Sequence, residues 1–209
     1  MQNQFIITIA RQYGSGGKTV GKMLAQRLGV PCYDREIISM ASEDSGINPV
    51  LFEDEKLKNE FRAKLRGSYM GAEPLRPESA GFTKDDNLYN FQMKVIRQIA
   101  ENGPCVIIGR CADYVLRDRK DLVRVFVHAP EDFCLEQAMK VNSLPEPEVE
   151  KLIAKTDEYR AKFYRYHTGQ QWKDAHNYDL ALNSSRLGVD GTVEAILAYL
   201  EVRAKFQPD

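Results

Sequence analysis

The chain has 209 residues, 43% hydrophobic and 28% charged, which supplies one full core, or one core with a small mobile subdomain, and argues against two independent domains. Its 29 Lys and Arg nearly balance 30 Asp and Glu, so no global field draws it to nucleic acid or acidic lipid. The most apolar runs, Phe5–Ala10 and Cys105–Gly109, are far shorter than the roughly 20 residues of a membrane span, and the polar start Met1-Gln2-Asn3-Gln4 is no signal peptide. A cytoplasmic protein with no nucleic-acid or membrane partner is expected.

Phe5-Ile6-Ile7-Thr8-Ile9-Ala10 is a short β-branched run, the pattern of a central strand buried on both faces of a parallel sheet. A glycine-rich turn follows, then a helix over Val20–Leu28 with Val20, Met23, Leu24 and Leu28 at helical spacing, closed by Gly29. Val30–Tyr33 reads as a second strand, made peripheral by Pro31, and ends at Asp34-Arg35-Glu36. From about residue 40 to 95 the composition shifts to charged helical segments around a Gly/Pro/Ser-containing stretch, Gly67–Gly81, read as a mobile insertion.

Core signals resume with a helix over Leu88–Asn102, a strand over Cys105–Ile108, and a strand over Val123–His128 that leads into Pro130 at a helix start. A long helix over Pro147–His167 carries the apolar stripe Val149, Leu152, Ile153, Tyr159 and Phe163, and Gly169 closes it. Tyr178–Leu182 supplies the fifth strand. The final helix follows Asp190, placed as its N-cap, with Val193, Ile196, Leu197 and Leu200 on one face. Five strands alternating with helices predict an α/β, three-layer fold around a five-stranded parallel sheet, with ligands beyond the carboxyl ends of the strands.

Cys32, Cys105, Cys111 and Cys134 contain no Cys-x-x-Cys pair, and His128, His167 and His176 are too scattered for a helical metal motif. Reduced thiols and no histidine-bound metal are expected. The chemistry concentrates instead in Gln12-Tyr13-Gly14-Ser15-Gly16-Gly17-Lys18-Thr19, between the first strand and the first helix. Glycines let successive N–H groups of Gly14, Ser15, Gly16 and Gly17 face one anion, and the helix adds its positive end. Lys18 would then place a charge on the β- and γ-phosphates of a bound nucleotide while the Thr19 hydroxyl coordinates Mg2+. Gln12 stands where the Gly-x-x-x-x-Gly-Lys-Ser/Thr pattern has glycine. A plain glycine-rich turn with a solvated lysine is the rival reading; a dinucleotide site leaves Lys18-Thr19 unexplained.

With this loop, Asp34-Arg35 at the second strand's end, Gly109-Arg110 at the third's and a long arginine-bearing helix before the fifth, the chain resembles the cytidylate kinase-like branch of the P-loop kinases. The resemblance lies in Ile7–Ile38, Val106–Asp113, and Asp157-Glu158-Tyr159-Arg160 through Tyr178–Ser184. It implies a single P-loop NTPase domain over 1–209, a helical acceptor-binding insertion over 40–95, a lid over 143–172, and γ-phosphoryl transfer from Mg-ATP to a small acceptor, a nucleoside monophosphate such as CMP. Cytidylate kinases place an aspartate directly after the Gly-Arg of the third strand; here Cys111 intervenes and the acid is delayed to Asp113.

Phosphoryl transfer needs positive charge around the moving phosphate more than covalent chemistry. Arg110 is the candidate clamp on an acceptor phosphate, with a salt bridge to Asp113 as its structural alternative. Asp34 would hold a magnesium water or an acceptor hydroxyl, with Arg35 beside it, and Asp113 would orient Arg110; either aspartate serves equally as a helix cap. On the long helix Asp157, Arg160 and Tyr164 follow i, i+3, i+7 as a polar strip toward the nucleotide, with Asp157 ordering Arg160; Arg160 and Arg165 are lid arginines, Arg165 alternatively a surface charge. Tyr159, Phe163 and Tyr166 are read as packing rather than base-stacking residues. Asn183, at the end of the fifth strand, stands where the resemblance places adenine. A nucleotide-binding regulatory switch or scaffold without small-molecule kinase activity remains the alternative from another class.

Overall fold

β1 (Ile6–Arg11) alternates its side chains between two separate cores, and this alternation sets the layers. In the computed structural model, which describes residues 5–52 and 70–206, Ile7 and Ile9 pack with α1 (Gly17–Leu28) and α7 (Ser184–Phe206) through Val20, Leu24, Val193 and Ile196. Ile6 and Ala10 face the opposite core with α2 (Glu36–Ser45), α3 (Asp85–Glu101) and the short α4 (Ala112–Val115). Both faces of the strand are therefore dry, as its unbroken apolar run requires.

The sheet is parallel throughout, in the order β2-β3-β1-β4-β5, with β2 Cys32–Tyr33, β3 Cys105–Ile108, β4 Leu122–His128 and β5 Leu180–Asn183. β1 is central, and the Pro31-flanked β2 is the edge. β2 is only two residues long: the proline ahead of Cys32 has no N–H to donate, though its carbonyl still accepts the Val106 amide at 3.0 Å. Because every strand runs the same way, the ends of all five, at Arg11, Asp34, Gly109, His128 and Asn183, lie along one edge.

α5 (Glu131–Met139) and α6 (Glu146–Thr168) connect β4 to the last strand. α3 begins three residues earlier than its apolar spacing predicts, its first turn carrying Asp85 and Asp86. β5 is displaced from the expected Tyr178–Leu182, because Tyr178 leaves the strand to pack on Phe126 and donate its hydroxyl to the Trp172 carbonyl at 2.7 Å. Asp190 is not the N-cap of the last helix. The helix starts at Ser184 and is interrupted at Gly188 (φ +65°), which puts Asp190 inside the first turn after the break.

Residues 53–69 of the insertion expected over 40–95 lie outside the described residues. From residue 70 to 84 the chain runs in bends and turns along α3, where buried Asn90 and Asn87 accept the amides of Ala72 and Leu75 at 2.9 and 2.7 Å. All four cysteines are free thiols. No helix among the described residues is long and apolar enough to cross a membrane.

Candidate active site

The loop from Gln12 to Gly17 is shaped from three sides. Gly14 has φ +78°, and a Cβ there would collide with the carbonyl of Cys134 on α5; only glycine fits so close to another backbone. The Ser15 hydroxyl, fully buried, donates back to the Gln12 carbonyl at 2.9 Å, while its own carbonyl accepts Ser184 Oγ at 2.7 Å. Ser15 thus offers a ligand its backbone and not its side chain. Gln12 takes on a task no glycine has: its Oε1 accepts the Ala129 amide at 3.1 Å, tying the loop to the end of β4. Gly16 precedes α1 and Gly17 opens it, its amide donating to Ser15 Oγ at 3.4 Å, so the positive end of the helix lies at the mouth of the loop.

Lys18 and Thr19 stand exposed on that first turn. Lys18 Nζ reaches Asp34 Oδ2 at 2.7 Å, and Arg11 from the end of β1 lies 3.8 Å from the other carboxylate oxygen. Burial raises the Asp34 pKa, but the Lys18 hydrogen bond and the charges of Arg11 and Arg110 outweigh it and hold the carboxyl below its ordinary range. Asp34 is therefore a carboxylate gathered among three cations. Its backbone amide donates to Glu36 Oε2 at 2.9 Å, and Arg35 is exposed beside it, its carbonyl accepting the Ile38 amide at 2.9 Å in the first turn of α2.

Arg110 follows β3 on a turn in which Gly109, Arg110 and Cys111 all have positive φ, +75°, +59° and +54°. Its NH1 donates to Gln92 Oε1 of α3 at 3.4 Å. Asp113 does not share the ligand-facing edge with it. It is 5% exposed, and its Oδ2 accepts the Tyr164 hydroxyl at 2.6 Å; burial pushes its pKa up to about 6, against the hydrogen bond from Tyr164, those from its own and the Tyr114 amide, and the charge of Arg124. Tyr164 is itself 3% exposed, so it belongs to the core and not to a polar strip facing nucleotide.

The rest of that strip meets the loop. Asp157 Oδ1 accepts the Tyr13 amide at 2.9 Å, and Arg160 NH1 donates to Asp157 at 3.0 Å and to the Arg11 carbonyl at 3.1 Å. The i, i+3 pair forms as spaced, and it docks α6 on the shoulder of the loop. Tyr13 is held further by Asn142, whose Nδ2 donates to its hydroxyl at 3.2 Å. Arg165 is exposed. Tyr159 and Phe163 pack in the core, and Tyr166 donates to Asp86 at 2.9 Å. Asn183 Oδ1 accepts the Ser185 amide and hydroxyl at 3.1 and 2.8 Å, which caps the start of α7. Arg11, Tyr13, Gln92 and Asn142 escape the sequence reading; for Arg11 the one available signal is a charge ending a buried strand.

Oxygen donors suit a hard divalent cation, and the Thr19 hydroxyl and the ionised Asp34 carboxylate are of that kind. No group of three or more His, Cys, Asp or Glu gathers as a metal site among the described residues. A magnesium ion at this position would draw most of its shell from phosphate oxygens and water.

A glycine loop opening α1 beside a central parallel strand, on a five-stranded sheet wrapped by helices, defines the P-loop NTPase class of fold. A model of the cytidylate kinase-like family matches residues 6–186, and the chain belongs to that family. No curated protein matches the sequence significantly. Among solved structures, an uncharacterized protein from Eubacterium ventriosum ATCC 27560 is 24% identical with a TM-score of 0.71, covering 95% of this chain and 99% of that one. A shikimate kinase from Bacteroides thetaiotaomicron is 16% identical with a TM-score of 0.55, over 95% and 99% of the two chains. A gluconokinase from Sinorhizobium meliloti 1021 is 16% identical with a TM-score of 0.54, over the full length of both. At these identities the likeness is one of fold. Family and fold together support nucleotide-dependent phosphoryl transfer to a small molecule.

Proposed function

We propose that the protein is an ATP- and Mg2+-dependent small-molecule kinase whose acceptor is a nucleoside monophosphate such as CMP. The observation that carries this reading is the convergence of Lys18, Arg11 and Arg110, from the ends of three different elements, on the mouth of the glycine loop around Asp34. Bound Mg-ATP would supply the transferable phosphoryl group and a further positive charge. Lys18 exchanges its Asp34 partner for phosphate oxygens, and the amides from Gly14 to Thr19 cradle the same phosphates. Asp34, released from Lys18, is free to hold a magnesium water or an acceptor hydroxyl. Arg110 clamps the acceptor phosphate, and Asp157 and Arg160 keep α6 docked where it excludes water from the transfer. Residues 40–95 are assigned to acceptor binding, 143–172 to the lid, and Asn183 to the adenine side.

Family membership and the phosphate loop support the donor half of this reading; the acceptor half rests on Arg110 and its surroundings. A coupled ADP-release assay over nucleoside monophosphates, nucleosides, sugar acids and shikimate tests it, with calorimetry for ATP and CMP in parallel. Turnover is expected with a nucleoside monophosphate. Turnover only with a non-nucleotide keeps the kinase and overturns the acceptor class, and ATP binding without turnover of any acceptor overturns the reading.

A further inference from the structure

The helix that docks on the phosphate loop also grips the turn carrying Arg110. Asp157 and Arg160 hold the loop; one turn further along α6, Tyr164 donates to Asp113 at 2.6 Å, both side chains being almost wholly buried. Asp113 lies three residues beyond Arg110. Arg110 itself and Cys111 after it are non-glycine residues in the left-handed region, a conformation that persists only where the surroundings enforce it. The bonds within the turn, Ala112 N–H to the Gly109 carbonyl at 3.1 Å and Val115 N–H to the Cys111 carbonyl at 2.9 Å, are local and would travel with it. The start of the turn is tied to β1 by the Gly109 N–H to the Ile9 carbonyl at 3.0 Å, and the Arg110 side chain to α3 by Gln92; the Tyr164–Asp113 bond fastens the far end of the turn to α6, the helix that also holds the phosphate loop.

We propose that Tyr164 is a positioning residue for the acceptor side of the site: through Asp113 it fixes the left-handed turn from which Arg110 projects, and so references the acceptor arginine to the helix that holds the donor loop. The inference rests on the kinase reading for its functional consequence, though not for its geometry. Residues 157 to 164 span roughly 10 Å of one helix, a short and rigid ruler between the two half-sites. The hydroxyl has a single proton, spent on the carboxylate. Gln170 Oε1 lies 3.2 Å from the same hydroxyl, and the much shorter 2.6 Å contact marks Asp113 as the main acceptor of that proton.

The test pairs two readouts on the full chain. In Tyr164→Phe the acceptor KM should rise about tenfold, the loss expected for a hydrogen bond to a charged group, while the ATP KM stays within about twofold. The Arg110 side-chain Nε–H resonance, identified by its disappearance in Arg110→Lys, should shift and broaden, while that of Arg119, whose Nε donates to Asp121 at 2.9 Å, stays put. Asp113→Leu removes the acceptor of the bond and should reproduce both effects, which covers a Tyr164→Phe that fails to fold. Asp113→Asn retains an oxygen for the tyrosine and should restore the Arg110 signal. An unmoved Arg110 resonance in Tyr164→Phe and Asp113→Leu, or equal losses for ATP and acceptor, would overturn the proposal. If the wild-type protein turns over no nucleotide acceptor, the kinase reading fails while the resonance still decides whether Tyr164 positions Arg110.

Discussion

Between β1 and α1 the chain turns on glycines, Gly14 and Gly16 at φ +78° and +75°; between β3 and α4 it turns through Arg110 and Cys111 at +59° and +54°. Both turns end at the same edge of the sheet and both face Asp34. The first reaches its shape with residues that adopt it freely, and its ligand groups are mainly backbone amides. The second sets a long cationic side chain on a conformation that side-chain-bearing residues disfavour, and needs a buried carboxylate and a tyrosine from α6 to keep it there. A loop that binds through its backbone tolerates glycine everywhere. A loop that must aim one side chain cannot use glycine at that position, so its support comes from elsewhere in the fold.

The sharpest way to separate the two turns is to remove their cations one at a time. Lys18→Ala should lower turnover by about 10²–10³-fold, the cost of losing one charge on the transferring phosphates. Its melting temperature should hardly move, since the lysine is half exposed and its pair with Asp34 contributes little. Steady-state kinetics and thermal unfolding check both, and normal turnover would remove Lys18 from the mechanism. Arg110→Gly should weaken acceptor binding by about 10- to 100-fold while leaving ATP binding nearly intact, as measured by calorimetry. Glycine also relieves the φ of +59°, so this variant should lose no stability. If ATP affinity falls more than acceptor affinity, the two half-sites have been assigned the wrong way round.

Glycine in the first loop should behave in the opposite sense. Gly14→Ala forces a Cβ into the Cys134 carbonyl and into a left-handed φ at once, at a cost of about 1–3 kcal/mol in unfolding free energy, together with weaker ATP binding. Denaturant titration with and without ATP measures it. A Gly14→Ala protein as stable as the parent would mean that α5 yields, and that the loop is less tightly walled than its contacts imply.

The contrast also explains what was legible in the sequence. Glycine spacing after a buried strand announces the phosphate loop, and continuous apolar runs announce a parallel sheet covered on both sides. Pro31 marks the edge strand for the same local reason. The strip through Asp157, Arg160 and Tyr164 meets the glycine loop for only part of its length, because i, i+3, i+7 spacing fixes a helix face without fixing what lies opposite each turn of it. Asp157 and Arg160 meet the loop, and Tyr164, a turn later, is already inside the core. Asp113 is close to Arg110 along the chain, which suggests a shared substrate site, but the turn between them reverses its direction. Arg11 and Gln92 belong to the site through contacts across 23 and 18 residues of sequence, respectively with Asp34 and Arg110, that no local pattern records.

The buried carboxylate behind the second turn has a signature of its own in the pH dependence of stability. Its pKa stands at about 6 in the folded protein against an ordinary aspartate value of 3.8, burial being the largest cause, so the folded state binds the proton more tightly than the unfolded chain. The stabilisation from that proton is fully present below pH 3.8 and is lost as pH rises through 6, where the carboxylate must ionise beneath Tyr164, with Tyr178 and Cys111 also close by. Asp113→Asn cannot titrate, and comparing it with the parent cancels the opposing contributions of Asp34, whose pKa is lowered, and Asp157, whose pKa is raised. The stability of the parent relative to Asp113→Asn should therefore increase by about 1 kcal/mol as pH falls from 6 to 5, read from denaturant unfolding at the two values. A difference that is flat across this interval would mean that Asp113 already ionises as an exposed aspartate does, and that water reaches the turn which α6 is here assigned to seal.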